Sequence, residues 1–135
     1  MIFVDTSAWL AVSDVRDGNH KAALEFHTRL VGGESGRLLT SDFVLDETLT
    51  LMRKRTGADA VKRFVAGLER SGSVQQIWVT PSHYREALSL FLEQGKKNWS
   101  ITDCTSFAIM RELGVRSAFT FDSDFRQAGF EPAPI

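Results

Sequence analysis

Five carboxylates stand at positions where side chains do chemistry: Asp5, Glu47, Asp103, Asp122 and Asp124. Asp5 follows the apolar run Ile2-Phe3-Val4, and Asp122, in "SAFTFDSDF", follows the last apolar run in the same way. In open parallel sheets, ligands gather at the carboxyl ends of the strands. Asp103 lies in "SITDC", where Ser100 and Asp103 have capping-box spacing, so it is fixed in the first turn of a helix. Each acid also has a bland reading. Asp5 caps the next helix, Glu47 is a boundary residue with its head in water, Asp103 serves its own box, and Asp122 and Asp124 make a turn. Those readings do not account for Asp5, Asp103 and Asp122 all falling on one sheet edge. Carboxylates gathered that closely repel and raise one another's pKa unless a cation sits among them. No cysteine or histidine cluster offers a zinc set, so the expected ion is hard, Mg²⁺ or Mn²⁺. Asp42 and Asp46 compete with Glu47, although a helix start explains Asp42. Asp122 is preferred to Asp124 because it is the first polar position beyond the strand.

The elements that must position these acids alternate in type. Ile2-Phe3-Val4 suits a strand buried on both faces, and Thr6 to Val12 has helical spacing. Asp17 to Leu30 puts Ala22, Ala23, Phe26 and Leu30 on one stripe, and Gly32-Gly33 stops it. Leu38-Leu39-Thr40 reads as a strand, "SDFVLDETLTLMRKR" as a helix broken at Gly57, and Ala58 to Leu68 as another helix. "SVQQIWVT" reads as a strand, at an edge given Gln75-Gln76. Pro81 opens a helix to about Gln94, Ser100 opens one to Leu113, and the last strand is about Ser117 to Phe121. The order predicts an α/β fold with a central parallel sheet and helices on both faces.

The bulk numbers bound the rest. A chain of 135 residues without repeat or linker fits one domain, 1–135. The single cysteine, Cys104, allows no intrachain disulfide and is expected in the core. No signal peptide or membrane span is visible, so a soluble, cytoplasmic protein with no membrane partner is expected. A net charge of -1 gives no global attraction to nucleic acid, so any polyanion must be held by a local patch or a metal. No histidine adjoins a predicted acid, and Ser7 has no histidine near it, which leaves serine nucleophile chemistry unsupported.

Four stretches, "FVDTSAW", "SDFVLDETLTLM", "ITDCTSFAIM" and "FTFDSDF", together resemble PIN-domain ribonucleases, especially short VapC-type toxins of toxin–antitoxin pairs. The resemblance covers nearly the whole chain. It implies a Rossmann-like PIN fold and an acidic metal site of Asp5, Glu47, Asp103 and Asp122, with Asp124 less clearly aligned. It makes Thr6 and Ser100 supporting polar residues. It implies metal-dependent hydrolysis of single-stranded or loop RNA, leaving 5′-phosphate and 3′-hydroxyl ends, with the acids as ligands and Asp103 orienting the attacking water. It also implies a homodimer and a small antitoxin lying along an apolar groove, to which residues 42–55 and 58–70 are expected to contribute; the same apolar side chains equally suit a core.

RNA contacts are sought in "GKKNWS", where Lys96 and Lys97 precede Trp99, although Trp99 reads first as a core residue, and in Arg53 to Arg55, which also suit a helix C-terminus. Three other classes compete. A haloacid-dehalogenase-type phosphotransferase needs a second acid two residues after Asp5, where Ser7 stands. A receiver domain needs paired acids and a lysine that are missing. An inactive PIN-fold module binding nucleic acid or protein would have lost one of the four acids, and none is lost.

Overall fold

The computed structural model describes residues 1–34 and 36–134. The elements run β1 (Ile2–Val4), α1 (Thr6–Ser13), α2 (His20–Val31), β2 (Leu38–Ser41), α3 (Asp42–Thr56), α4 (Ala58–Arg70), β3 (Val74–Ile77), α5 (Pro81–Glu93), α6 (Ile101–Leu113), β4 (Ser117–Phe119), α7 (Asp124–Gln127) and β5 (Glu131–Ala133). The strands form one sheet in the order β3-β2-β1-β4-β5, and every pairing is parallel. Every residue of β1 and β2 is buried, which requires cover on both faces.

The strand order explains the location of the chemistry. The chain steps outward from β1 through β2 to β3, then returns to place β4 on the other side of β1. The order therefore reverses between β1 and β4, and the crevice beyond their carboxyl ends is the topological switch point. Register pairs Val4 with Phe119, and the Asp5 N–H donates to the Phe119 carbonyl at 3.0 Å, carrying the ladder one residue further. Asp5 thus leaves the sheet beside Thr120.

Several boundaries differ from the sequence expectation. Helix α2 begins at His20, three residues later than the apolar stripe suggests. Before it, the Asp14 and Asp17 carboxylates accept the N–H groups of Arg16 and Asn19, which hold residues 14–19 in turns. β4 ends at Phe119 because the Phe121 N–H turns away to the Ser7 hydroxyl. Two elements are additional: the short α7, and β5 as a fifth strand. β5 contains Pro132, which an edge strand tolerates because one side of its backbone has no partner to lose. β3 is the opposite edge, with Gln75 and Gln76 exposed as their polarity implies.

Below the site, Phe107 packs edge-on against Trp99 and Phe125 and stacks on Phe130, with centroid separations of 5.1 to 5.6 Å. Cys104 is buried in this core, and burial pushes its thiol up to about 11, out of the range of a nucleophile.

Candidate active site

Asp5 occupies the N-cap position of α1, yet its carboxylate makes no capping hydrogen bond. The capping reading therefore fails. Instead Asp5 Oδ2 accepts two hydroxyls, Ser7 Oγ at 2.9 Å and Thr120 Oγ1 at 3.0 Å. The same hydroxyls accept N–H groups from the segment after β4: Phe121 gives to Ser7 Oγ and Asp122 to Thr120 Oγ1, each at 3.0 Å. Ser7 and Thr120 thus lock the first acid to the loop that carries the later ones. Sequence reasoning missed both as site residues. The sequence offered only a hydroxyl two residues after Asp5 and another two before Asp122; the pairing of β1 with β4 is what brings both to one carboxylate.

Asp103 completes its capping box and also stands among the other acids. Ser100 Oγ accepts the Asp103 N–H at 2.9 Å and Asp103 Oδ2 accepts the Ser100 N–H at 3.0 Å, so the box is complete. The same side chain also offers an oxygen to a tight group with Asp122 and Asp124, whose ligand atoms all lie within 4.8 Å of one another. Asp124, the acid ranked below Asp122 in the sequence, enters because α7 begins there and Asp122 Oδ1 accepts its N–H at 3.0 Å. Asp5 and Glu47 are outside that triangle but line the same open cleft of about 520 Å³ with Asp103 and Asp122. Glu47 reaches it from α3, whose buried stripe of Val44, Thr48 and Met52 turns the adjoining face toward the acids.

Electrostatics mark the cluster as strained without a cation. Burial pushes the Asp5 carboxyl up to about 6, opposed by the Ser7 and Thr120 hydroxyls and reinforced by the charge of Asp122. Asp103 is raised first by burial and also by the charges of Asp5 and Asp122, and Asp124 first by burial and then by Asp103. An all-oxygen donor set of this kind suits a hard divalent cation.

The other expected residues sort as follows. Thr6 is buried, and its hydroxyl reaches the Val44 carbonyl at 3.4 Å, tying α1 to α3 at the cleft. Trp99 is a core residue, 7% exposed, with Lys97 Nζ 5.1 Å from its ring centroid; it presents no open face for a base. Of the two readings of Trp99, core residue and stacking platform, the structure shows the first, and neither Lys96 nor Lys97 lines the acidic cleft. Arg55, Asp17 and Asn19 do line it. An apolar groove is walled by Trp9 and Val12 of α1, Val31 of α2, and Phe64 and Leu68 of α4, and no residue of α3 lines it. Among the described residues no helix is long and apolar enough to cross a membrane.

A parallel sheet with four acids at its switch point and a fifth beside them defines a class, and residues 2–131 match the PIN domain family. This chain belongs to that family. It is 37% identical over 130 residues to the 23S rRNA-specific endonuclease VapC20 of Mycobacterium tuberculosis, a match covering 96% of this chain and 95% of that one. It is 31% identical over 124 residues to a VapC ribonuclease of Archaeoglobus fulgidus, covering 90% and 77%. The crystal structure of M. tuberculosis VapC20, described as a sarcin-ricin loop cleaving toxin, superposes with a TM-score of 0.86 at 35% identity over 96% of both chains.

Proposed function

We propose that this chain, as one domain spanning 1–135, is a metal-dependent endoribonuclease and the toxin of a type II toxin–antitoxin pair acting in the cytoplasm. The observation that carries the reading is the triangle of Asp103, Asp122 and Asp124 oxygens within 4.8 Å, at a cleft shared with Asp5 and Glu47. These five acids would hold Mg²⁺ or Mn²⁺. When bound, the ion supplies Lewis-acid activation of water and charge neutralisation at the phosphate. The chain's own residues do the rest. Ser7 and Thr120 take Oδ2 of Asp5 and so aim its other oxygen; the capping box fixes Asp103 where it can orient the attacking water; Thr6 holds the Glu47 helix against α1.

The activity of the M. tuberculosis relative, a 23S rRNA-specific endonuclease cleaving the sarcin-ricin loop, supports a loop of large ribosomal RNA as the substrate. An RNA hairpin carrying a sarcin–ricin loop tests this. Cleavage in Mg²⁺ or Mn²⁺ that leaves 5′-phosphate and 3′-hydroxyl ends, and that stops with EDTA, is expected. Cleavage that persists in EDTA overturns the metal-dependent reading.

Two partners complete the proposal. The apolar groove of about 300 Å³ between α1, α2 and α4 suits an apolar antitoxin segment. Tyr84, Leu88, Phe91 and Leu92 form an exposed apolar stripe along α5, which suits a homodimer. Co-purification with the product of a small neighbouring gene tests the first, and sedimentation of Leu88→Glu tests the second, with a monomer expected.

A further inference from the structure

The acidic cleft carries five carboxylates on its wall, from Asp5, Asp17, Glu47, Asp103 and Asp122, and among the described residues one cation, Arg55. Arg55 shares a face of α3 with Glu47 and Leu51, at intervals of four residues, and all three line the cleft. Eight residues of helix rise about 12 Å, so Arg55 stands along the cleft from the metal-binding acids rather than among them. It has no carboxylate within ion-pair distance among the described residues. Arg53 and Lys54, its neighbours in sequence, do not line the cleft.

A second observation concerns how this end of α3 is held. The Arg16 guanidinium donates from Nη2 to the Arg55 carbonyl, and its Nε and backbone N–H reach Asp14 Oδ1 at 3.2 and 3.0 Å. The contact fastens the loop before α2, with Asp17 and Asn19 on its lip, to the last turn of α3. The charge of Arg55 also reaches Asp14, whose carboxyl is held below its usual range chiefly by the Arg16 N–H. A polyanion entering a cleft of this sign needs an attractive point away from the metal, and a guanidinium without a carboxylate partner matches a phosphate.

We propose that Arg55 binds a backbone phosphate of the RNA strand flanking the scissile bond, and that Arg16 is the positioning residue that fastens it there. The inference rests on the ribonuclease reading above. It assigns Arg55 to binding rather than to the chemical step, because the metal and acids act on the scissile phosphate itself.

The test uses the sarcin–ricin hairpin with the full chain. Arg55→Ala raises KM about tenfold while kcat stays within about twofold, the signature of lost uniform binding. Anisotropy of labelled hairpin, measured in an Asp103→Asn background, gives a salt dependence of affinity shallower by about 0.7 to 0.9 in log–log slope when Arg55 is removed. Arg55→Lys restores the slope and part of the KM. Arg16→Ala raises KM by less and adds nothing on top of Arg55→Ala, whereas a merely structural Arg16 lowers thermal stability and adds independently. Unchanged KM and slope in Arg55→Ala, with wild-type protein cutting normally, overturns this inference alone. Wild-type protein that neither binds nor cuts the hairpin overturns the substrate reading and this inference with it.

Discussion

Helices α5 and α6 begin with the same reciprocal capping box, Thr80 with His83 and Ser100 with Asp103. In α5 the box closes on itself. His83 Nδ1 accepts the Thr80 N–H at 3.0 Å, which puts the ring proton on Nε2, and Nε2 stands 3.1 Å from Glu112 Oε2. The Nε2–Glu112 approach is close but does not have hydrogen-bond geometry, and neither nitrogen faces the acidic cleft. In α6 the box uses Oδ2 of Asp103 while an oxygen of the same side chain belongs to the acidic triangle. One local device makes a helix start in the first case and a helix start with a rigidly aimed carboxylate in the second. The cap supplies the precision; the strand order, which places the α6 N-terminus at the switch point, supplies the chemistry.

The largest effect that separates the two boxes is on catalysis. Asp103→Asn or Asp5→Asn should lower RNA cleavage by more than the roughly 100-fold upper range for removal of an outer partner. Either change should also raise the thermal midpoint of metal-free protein, because it removes a carboxylate that burial and its neighbours destabilise. A cleavage rate within tenfold of wild type would break the comparison. Next in size, Thr120→Val removes one of the two hydroxyls on Asp5 Oδ2 and the acceptor of the Asp122 N–H together, and Mn²⁺ affinity by calorimetry should fall about 10- to 100-fold. His83→Ala, in the other box, should cost about 1–2 kcal/mol of stability in denaturant melts and leave kcat unaltered.

The smallest effect is a pH trend. The folded pKa of Asp5 is about 6 against 3.8 for the free side chain, so the folded state binds more protons between those values. Its stabilising contribution is present below about pH 4 and is lost as pH rises through about 6. Metal-free protein should therefore melt at lower temperature at pH 7 than at pH 5, and Mn²⁺ should reverse that order. A midpoint that rises with pH in metal-free protein would contradict the burial of Asp5.

Much of this was legible in the residues because local signals and topology agreed. The buried run before Asp5, the Ser100–Asp103 spacing and the polar edge strand at Gln75-Gln76 each say where a segment sits. Ser7 and Thr120 were harder for a physical reason. Their roles depend on register across β1 and β4, residues more than a hundred positions apart, and no spacing within one stretch encodes that pairing. Trp99 carried two signals at once. A tryptophan after two lysines reads as a binding surface, but the turn folds its ring onto Phe107 and leaves Lys97 covering it. β5 escaped because Pro132 argues against a strand except at an edge, and only the assembled sheet reveals that edge.

The most direct test of the site is a crystal soaked in Mn²⁺ and recorded at the manganese absorption edge. An anomalous peak about 2.0–2.2 Å from oxygens of Asp103 and at least two of Asp5, Asp122 and Asp124 is the predicted result. No peak in this cleft, from crystals of protein that still cuts RNA, would contradict the metal site.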